Sequence, residues 1–304
     1  MKLPFRGLIA PVFTPFNNDE KNSINFNVLP EYVKYLSAEN INGILVNGTS
    51  GEGMSLTVEE RKLLCDAWLR ASLPETHVMV QVGGLPLPYV LELAEHAEKA
   101  GAHSLLCLPD LYNKPNNNEE LIEYLKLVSK AAPNTPLLYY HIPMFTNVNI
   151  DMGKFLNDRV NEVPTFAGIK FTSNDLKEGI EAVNAKNKEF AVFLGADMLM
   201  AESYALGFDS SIATTLNIFP TLGVNIKKFH NENKFELVEE NQSRLSNNVT
   251  TITKYGGWVS SMKSAMNLFT RINCGPVRAP IVPVPQRLMN ILRNDVERAA
   301  EKRQ

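Results

Sequence analysis

Cysteine, one-sided charge and long apolar runs are all scarce in this sequence. The three cysteines, Cys65, Cys107 and Cys274, lie far apart and form no CxxC pair, so neither a disulfide framework nor a zinc site is indicated. No apolar run approaches the length of a transmembrane helix. The net charge of −3 provides no basic excess, so we expect neither a nucleic-acid partner nor a membrane partner.

The amino-terminal stretch MKLPFRGLIAPVFTPF does not have the pattern of a signal peptide. Prolines at positions 4, 11 and 15 interrupt it, and it has no apolar core of signal-peptide length. Together with the unpaired cysteines, this predicts a protein of the reducing cytoplasm.

What the sequence does contain is an alternation of short apolar runs and longer amphipathic segments. Eight runs are nearly continuously apolar, which is typical of parallel strands covered on both faces. They begin at Gly7, Gly43, His77, His103, Pro136, Thr165, Glu189 and Ser210. Eight β-then-α units predict an α/β fold of the (β/α)8 TIM-barrel type. A doubly wound open sheet is the alternative, but no GxGxxG follows the first run.

The strand pattern stops near Thr221, and the segments beyond it read as helices. We therefore predict a catalytic barrel over residues 1–222 and a C-terminal helical extension, packed on that barrel, over residues 223–304.

Two segments at the carboxyl ends of predicted strands could carry chemistry, because barrel active sites lie at those ends. NGTSGEG, residues 47–53, follows the second strand, and its glycines and hydroxyl groups suit an anion such as a carboxylate. A plain tight turn would need the same glycines. Tyr140 in YYHIP ends the fifth strand, and strand alternation can point it into the barrel. Taken alone, it would more simply be a core aromatic residue.

Lys170 interrupts the sixth apolar run, TFAGIKFTS. Lysine is rarely fully buried unless a partner holds its charge or its proton is removed. A lysine at a sheet edge, or one that snorkels to water, is the ordinary alternative. Desolvation favours the neutral amine that a Schiff-base nucleophile requires. Lys170, Tyr140 and the hydroxyl-rich turn together indicate chemistry on a 2-oxo acid.

Five segments carry a family resemblance: GLIAPVFTPF, NGTSGEGMSLTVEER, YYHIP, GIKFTSNDL and GPVRAP, in that order. Over nearly its whole length the chain resembles the dihydrodipicolinate synthase/N-acetylneuraminate lyase family of pyruvate-dependent class I aldolases. It is most similar to the members that reversibly cleave N-acetylneuraminate to N-acetylmannosamine and pyruvate. The resemblance implies sialic acid and pyruvate as small-molecule ligands, no metal or organic cofactor, and assembly as a homotetramer.

The resemblance also implies a role for individual residues. Lys170 would form the Schiff base and Tyr140 would donate and accept protons. Thr49 and Ser50 would bind the pyruvyl carboxylate. Thr49 would also link Tyr140 to a tyrosine from a neighbouring subunit, for which Tyr112 in PDLYNKP is the candidate. The positions where such lyases contact the sugar chain correspond to Thr172, Gly195, Asp197, Met198 and Thr214.

Two departures from the family pattern concern the substrate. Dihydrodipicolinate synthases have an arginine for a second carboxylate where this chain has Met144-Phe145-Thr146, so we do not expect that activity. The lyases usually have Asp-Glu where this chain has Asp197-Met198, so one carboxylate that would face sugar hydroxyls is missing. Two alternatives stay open, an aldolase for another 2-keto-3-deoxy sugar acid and a catalytically inactive sugar-acid-binding barrel.

Overall fold

A computed structural model describes the backbone of residues 1–301 and the side chains of residues 1–297. Its eight strands close into a barrel in sequence order, every neighbouring pair is parallel, and β1 pairs with β8. This closure confirms the predicted (β/α)8 barrel over the open-sheet alternative. The strands are β1 Leu8–Pro11, β2 Gly43–Val46, β3 His77–Gln81, β4 Ser104–Cys107, β5 Leu137–His141, β6 Phe166–Phe171, β7 Ala191–Leu194 and β8 Ser210–Ile212.

The strands separate two hydrophobic layers, which explains why they are apolar on both faces. Along β3, Val78 and Val80 belong to the cluster beneath the helices, whereas Met79 belongs to the cluster inside the barrel. Along β5, Tyr139 packs outward and Tyr140 inward, as strand alternation predicts. The interior is therefore a packed core, and polar side chains reach it mainly near the strand ends.

Helices follow the strands and cover the barrel. They are α1 Leu29–Ala38, α2 Val58–Ala71, α3 Leu87–Ala100, α4 Asn118–Ala131, α5 Pro143–Thr146, α6 Met152–Asn157, α7 Leu176–Asn184, α8 Met200–Ala205, α9 Pro220–Asn231, α10 Phe235–Ile252, α11 Trp258–Phe269 and α12 Gln286–Glu301. Thr57 and Glu60 form a capping box at the start of α2. None of the helices within residues 1–301 combines the length and the apolar character needed to cross a membrane.

Within the described residues four α-helices follow β8, and the first of them bears on the predicted domain boundary. Helix α9 runs without interruption across residues 222 and 223. Leu222 and Ile226 of α9 share the buried cluster of the barrel's outer layer. We therefore propose that the helical extension begins after Asn231 and not within α9. Leu245 and Leu292 then bring α10 and α12 into the same core.

Candidate active site

Lys170 and Tyr140 are neighbours in the barrel wall. The β5–β6 register places Tyr140 directly opposite Lys170, and both side chains turn inward. Only 5% of Lys170 and 2% of Tyr140 is exposed. The Lys170 Nζ donates to the Tyr140 hydroxyl at 3.0 Å and lies 4.2 Å from the centre of its ring. Within the described residues Lys170 forms no salt bridge, so its amine is held by a phenol and not by a carboxylate.

Gly195 leaves room beside Lys170, and Gly168 allows the backbones of β6 and β7 to approach closely. A Cβ at Gly195 would lie 1.9 Å from Thr172 Oγ1 and 3.0 Å from Lys170 Cε. A Cβ at Gly168 would lie 2.0 Å from the carbonyl oxygen of Ala191. Any larger residue at Gly195 would therefore occupy the space beside the Lys170 amine. This steric limit explains why a glycine stands at this predicted site position.

The turn after β2 brings hydroxyl groups to the same place. The Glu52 N–H donates to the Thr49 carbonyl at 3.1 Å, and the Gly53 N–H donates to the Gly48 carbonyl at 3.1 Å. The turn is so tight that a Cβ at Gly53 would lie 2.1 Å from the carbonyl oxygen of Asn47. This geometry sets Thr49 Oγ1 3.3 Å from the Tyr140 hydroxyl. Thr49, Tyr140 and Lys170 thus form one hydrogen-bonded chain along which a proton can move.

Ser50 connects the turn after β2 to the segment that follows β8, the last strand of the barrel. Its hydroxyl lies 2.8 Å from the hydroxyl of Thr214, which directly follows β8 and Ala213. Both residues are buried, with 3% of Ser50 and 6% of Thr214 exposed. The structure therefore brings together Ser50, which is predicted to bind the substrate carboxylate, and Thr214, which is predicted to contact the sugar chain.

Asp197 follows β7 and is buried beside the same group. Its carboxylate accepts the Thr215 N–H at 2.6 Å. Burial raises the pKa of Asp197, while the Thr215 hydrogen bond and the nearby Lys170 amine oppose that rise. Asp197 is thus a desolvated carboxyl that the fold holds close to the lysine, an arrangement common at functional sites.

Thr172 and Met198, two further predicted sugar contacts, differ in their exposure. The Thr172 hydroxyl oxygen is buried and has no hydrogen-bond partner among the described residues, so it is available to a ligand. Met198 is 42% exposed. Its thioether offers only a weak acceptor to a sugar hydroxyl.

Tyr112 does not join this group within one chain. It lies in the loop after β4 and is 93% exposed, with its own N–H bonded to Asp110 Oδ1 at 2.8 Å. Met144 and Phe145, in the segment after β5, are 74% and 60% exposed. The segments after two neighbouring strands, a loop after β4 and α5 after β5, thus present large apolar side chains to their surroundings.

Gln242 supports the site but was not predicted from the sequence. This buried residue of α10 accepts the Ala201 N–H at 2.9 Å and directs its Nε2 to the Asp197 carbonyl at 3.4 Å. The sequence signal is a pair of polar residues, Asn241 and Gln242, between the apolar Val238 and Leu245 on the buried face of α10.

One group in the described chain has side chains close enough to share a metal ion. Potential ligand atoms of Cys65, Asp66 and His96 lie within 4.8 Å of one another, between α2 and α3. Burial raises the pKa of the Cys65 thiol to about 12, and metal binding needs the thiolate. The His96 Nε2 instead lies 2.8 Å from Asp66 Oδ1. These residues fit a packed thiol beside a histidine–carboxylate pair better than a metal centre.

Comparison with known proteins places this chain in a family. A profile of the "Dihydrodipicolinate synthetase family" matches residues 4–299. The N-acetylneuraminate lyase of Gallus gallus is 34% identical over 279 residues, which cover 91% of this chain and 90% of that protein. Among solved structures, the N-acetylneuraminate lyase (sialic acid aldolase) of Aliivibrio salmonicida has a TM-score of 0.92 at 30% identity, and the match covers 98% of each chain. A Sulfolobus solfataricus 2-keto-3-deoxygluconate aldolase variant has a TM-score of 0.87 at 26% identity and covers 97% of each chain. The chain belongs to the dihydrodipicolinate synthetase family.

Proposed function

We propose that this protein is a class I aldolase that reversibly cleaves N-acetylneuraminate to N-acetylmannosamine and pyruvate. The observation that carries the proposal is the buried contact of 3.0 Å between the Lys170 amine and the Tyr140 hydroxyl. A lysine amine forms imines with carbonyl substrates, and an adjacent phenol can move protons at the same carbon skeleton. The likeness to lyases of this name, from chicken to Aliivibrio, supports the choice of substrate.

The proposed cleavage uses the Lys170 amine as nucleophile and the Tyr140 hydroxyl as proton carrier. The Lys170 amine attacks the C2 ketone of the sugar acid, water leaves, and a protonated imine forms. Tyr140, which gives its own proton to the hydroxyl that leaves as water, then takes the proton of the C4 hydroxyl as a phenolate. The C3–C4 bond breaks, and the electron pair moves into the imine to give an enamine. N-Acetylmannosamine departs as the aldehyde. Protonation of the enamine at C3 and hydrolysis of the imine release pyruvate and restore the amine.

The other predicted residues receive binding roles in this scheme. Thr49 and Ser50 bind the carboxylate, since the Thr49 hydroxyl lies beside Tyr140 and the Ser50 hydroxyl beside Thr214. The free hydroxyl of Thr172 and the buried polar groups of Asp197 and Thr214 face the sugar chain. Gly195 keeps the space for it open. No step in the scheme calls for a metal or an organic cofactor.

Assembly and location complete the proposal. The exposed ring of Tyr112, with the exposed Met144 and Phe145, suits burial against a second copy of the chain. We assign Tyr112 to the active site of a neighbouring subunit in a homotetramer. Cys65, Cys107 and Cys274 are all unpaired and buried, which supports a reducing cytoplasm.

Trapping the imine tests the proposal directly. Borohydride reduction in the presence of pyruvate should attach a reduced adduct to Lys170, and mass spectrometry of peptides would locate it. Lys170→Ala should fold, form no adduct and release no pyruvate from N-acetylneuraminate. Lys177→Ala, a change at an exposed lysine of α7, is the matched control and should behave as the wild type. Pyruvate release by Lys170→Ala at the wild-type rate would refute the Schiff-base assignment.

One observation favours a second candidate within the same chemistry. Met198 stands exposed where a carboxylate is usual, so contacts to the distal hydroxyls are fewer. An aldolase for another 2-keto-3-deoxy sugar acid therefore remains the alternative. A panel of such acids, scored by pyruvate release, separates the two, because the preferred substrate has the highest kcat/KM. A barrel that forms no adduct and cleaves no member of the panel would be a binding protein.

A further inference from the structure

A buried ion pair lies directly beneath the hydroxyl-rich turn. Glu52 Oε1 accepts a hydrogen bond from Lys263 Nζ at 2.7 Å, and the two side chains are 0% and 1% exposed. Lys263 belongs to α11, in the C-terminal part of the chain, 211 residues from Glu52. Burial lowers the pKa of Lys263, and the Glu52 carboxylate opposes that shift. None of the catalytic steps proposed above uses this pair.

The pair is bonded to the turn at both of its ends. Glu52 is itself a turn residue, and its N–H donates to the carbonyl of Thr49. Lys263 Nζ also donates to the Thr14 carbonyl at 2.8 Å, while the Thr14 hydroxyl donates to the Gly51 carbonyl at 2.6 Å. The two residues that flank Ser50 are thus connected, through Glu52 and Thr14, to one lysine of α11.

Arg278, in the GPVRAP segment, holds the second oxygen of the same carboxylate. Its backbone N–H donates to Glu52 Oε2 at 2.8 Å. Its guanidinium donates to both oxygens of Glu60 at 2.9 Å and to the Asn22 carbonyl at 2.8 Å. The Arg278 Cζ and the Lys263 Nζ lie 4.4 and 4.2 Å from the ring centre of Phe16. Both oxygens of Glu52 are therefore bound by groups from the C-terminal part of the chain.

General stability does not account for this arrangement well. A buried ion pair is seldom more stabilising than apolar residues of the same volume, because both charges lose their hydration. Glu52 also adopts a left-handed backbone conformation, with φ at 56°, which is unfavourable for a residue other than glycine or asparagine. Strain and buried charge at one residue commonly mark a functional constraint. Glu52 is bonded to Thr49 through its backbone N–H and lies two positions after Ser50, so the constraint acts on the proposed carboxylate site.

We infer that Glu52, Lys263 and Arg278 are positioning residues that hold the Thr49–Ser50 turn in the shape that binds the carboxylate of the 2-oxo acid. The C-terminal helices, remote in sequence from the barrel's catalytic residues, thereby take part in substrate recognition. This inference rests on the proposed function, because it takes the turn as the carboxylate site.

Four variants test the inference. Glu52→Gln keeps the shape of the side chain but loses one of its two acceptor oxygens. Lys263→Met keeps the stem against Phe16 but loses both donated hydrogen bonds. Arg278→Met leaves the buried pair balanced and keeps the backbone N–H bond to Glu52. It removes the guanidinium contacts to Glu60, Asn22, Ser55 and the Phe16 ring. Leu245→Ala is the control, since it removes buried volume from α10 without touching the network.

Two quantities are measured on each full-length variant: the melting temperature, and the pyruvate concentration that gives half-maximal borohydride trapping on Lys170. Glu52→Gln and Lys263→Met should raise that concentration about tenfold or more, the worth of one hydrogen bond to a charged group. The maximal trapped fraction should stay near that of the wild type, because the amine is untouched. Arg278→Met should give a smaller rise. Leu245→Ala should lower the melting temperature and leave the half-saturation unchanged.

Several outcomes would overturn the inference. A half-saturation in Glu52→Gln and Lys263→Met no higher than in Leu245→Ala would mean that the pair only stabilises the fold. If both variants fail to fold, Arg278→Met decides, and an unchanged half-saturation in that variant refutes the inference. If the wild type itself traps no pyruvate, the proposed function is wrong and this inference fails with it.

Discussion

The hydroxyl of Tyr140 lies between two partners, the Lys170 amine at 3.0 Å and the Thr49 hydroxyl at 3.3 Å. Tyr140→Phe keeps the ring's packing and removes the group between them. We expect pyruvate still to be trapped on Lys170, while turnover of the sugar acid falls by roughly 10²–10⁴, the usual worth of one acid–base group. Steady-state kinetics and borohydride trapping on the same preparation measure both effects.

The adjacent Tyr139 provides the control for that experiment. It faces the helices instead of the barrel interior, and its buried hydroxyl has no hydrogen-bond partner among the described residues. Tyr139→Phe should therefore keep wild-type turnover. Turnover of Tyr140→Phe within a few-fold of the wild type would mean that another group carries the proton.

Met198 is the residue at which substrate preference can be examined. Met198→Glu would add a charged acceptor for sugar hydroxyls, and such a bond is worth roughly one to two powers of ten in binding. We expect a lower KM for N-acetylneuraminate with little change in kcat, because binding is restored uniformly to ground and transition states. Kinetics with N-acetylneuraminate and one shorter 2-keto-3-deoxy acid measure the change.

Glu202, exposed on α8 one turn after Met198, is the competing source of a carboxylate. If Met198→Glu leaves KM unchanged while Glu202→Gln raises it, Glu202 fills the role. The two substitutions thus separate a missing carboxylate from one supplied by the next turn.

At the scale of the elements, the sequence pattern predicts the strands and their alternation. Eight apolar runs become eight parallel strands, and Tyr140 and Lys170 point inward as the two-residue period requires. The register between strands is harder to predict, because no local signal shows that Tyr140 lies opposite Lys170 and not opposite a residue next to it. The Ser50–Thr214 contact joins residues 164 positions apart, and only closure of the barrel brings them together.

Helix ends are also predictable only where the signal lies in neighbouring residues. The capping box of Thr57 and Glu60 is readable in the sequence, because both partners lie within one turn. The boundary predicted at residue 222 has no such signal and falls inside α9. The pairing of Glu52 with Lys263 also escapes prediction, since the sequence shows two charged residues and nothing that links them.

At the scale of the whole molecule, buried histidines should make stability depend on pH. Burial lowers the pKa of His77 to about 3 and that of His141 to about 4. An unfolded chain binds these protons near pH 6.5, so each histidine reduces the free energy of unfolding as pH falls below that value. From pH 7 to pH 5 the loss should be about 2 kcal/mol for each histidine. Urea unfolding at the two pH values measures it.

Two carboxyls, one buried and one half-buried, change stability with pH in the opposite direction. Burial raises the pKa of Asp197 and of Glu178, so these groups favour the folded state as pH falls. A variant carrying His77→Asn and His141→Gln isolates the histidine contribution and should lose most of the destabilisation at pH 5. A wild-type free energy of unfolding that is no lower at pH 5 than at pH 7 would contradict the expectation.

The exposed ring of Tyr112 has a consequence for mixtures of chains. If it completes the proton relay of a neighbour, a solitary chain has its nucleophile but an incomplete relay, and its catalytic competence depends on concentration. Dilution would then produce molecules that hold pyruvate but turn over slowly. Loss of Lys170 and loss of Tyr112 would also differ in kind. A chain without Lys170 still supplies Tyr112 to its neighbour. If an inactive variant without Lys170 is mixed with an inactive variant without Tyr112 and their subunits exchange, some sites would therefore contain every group.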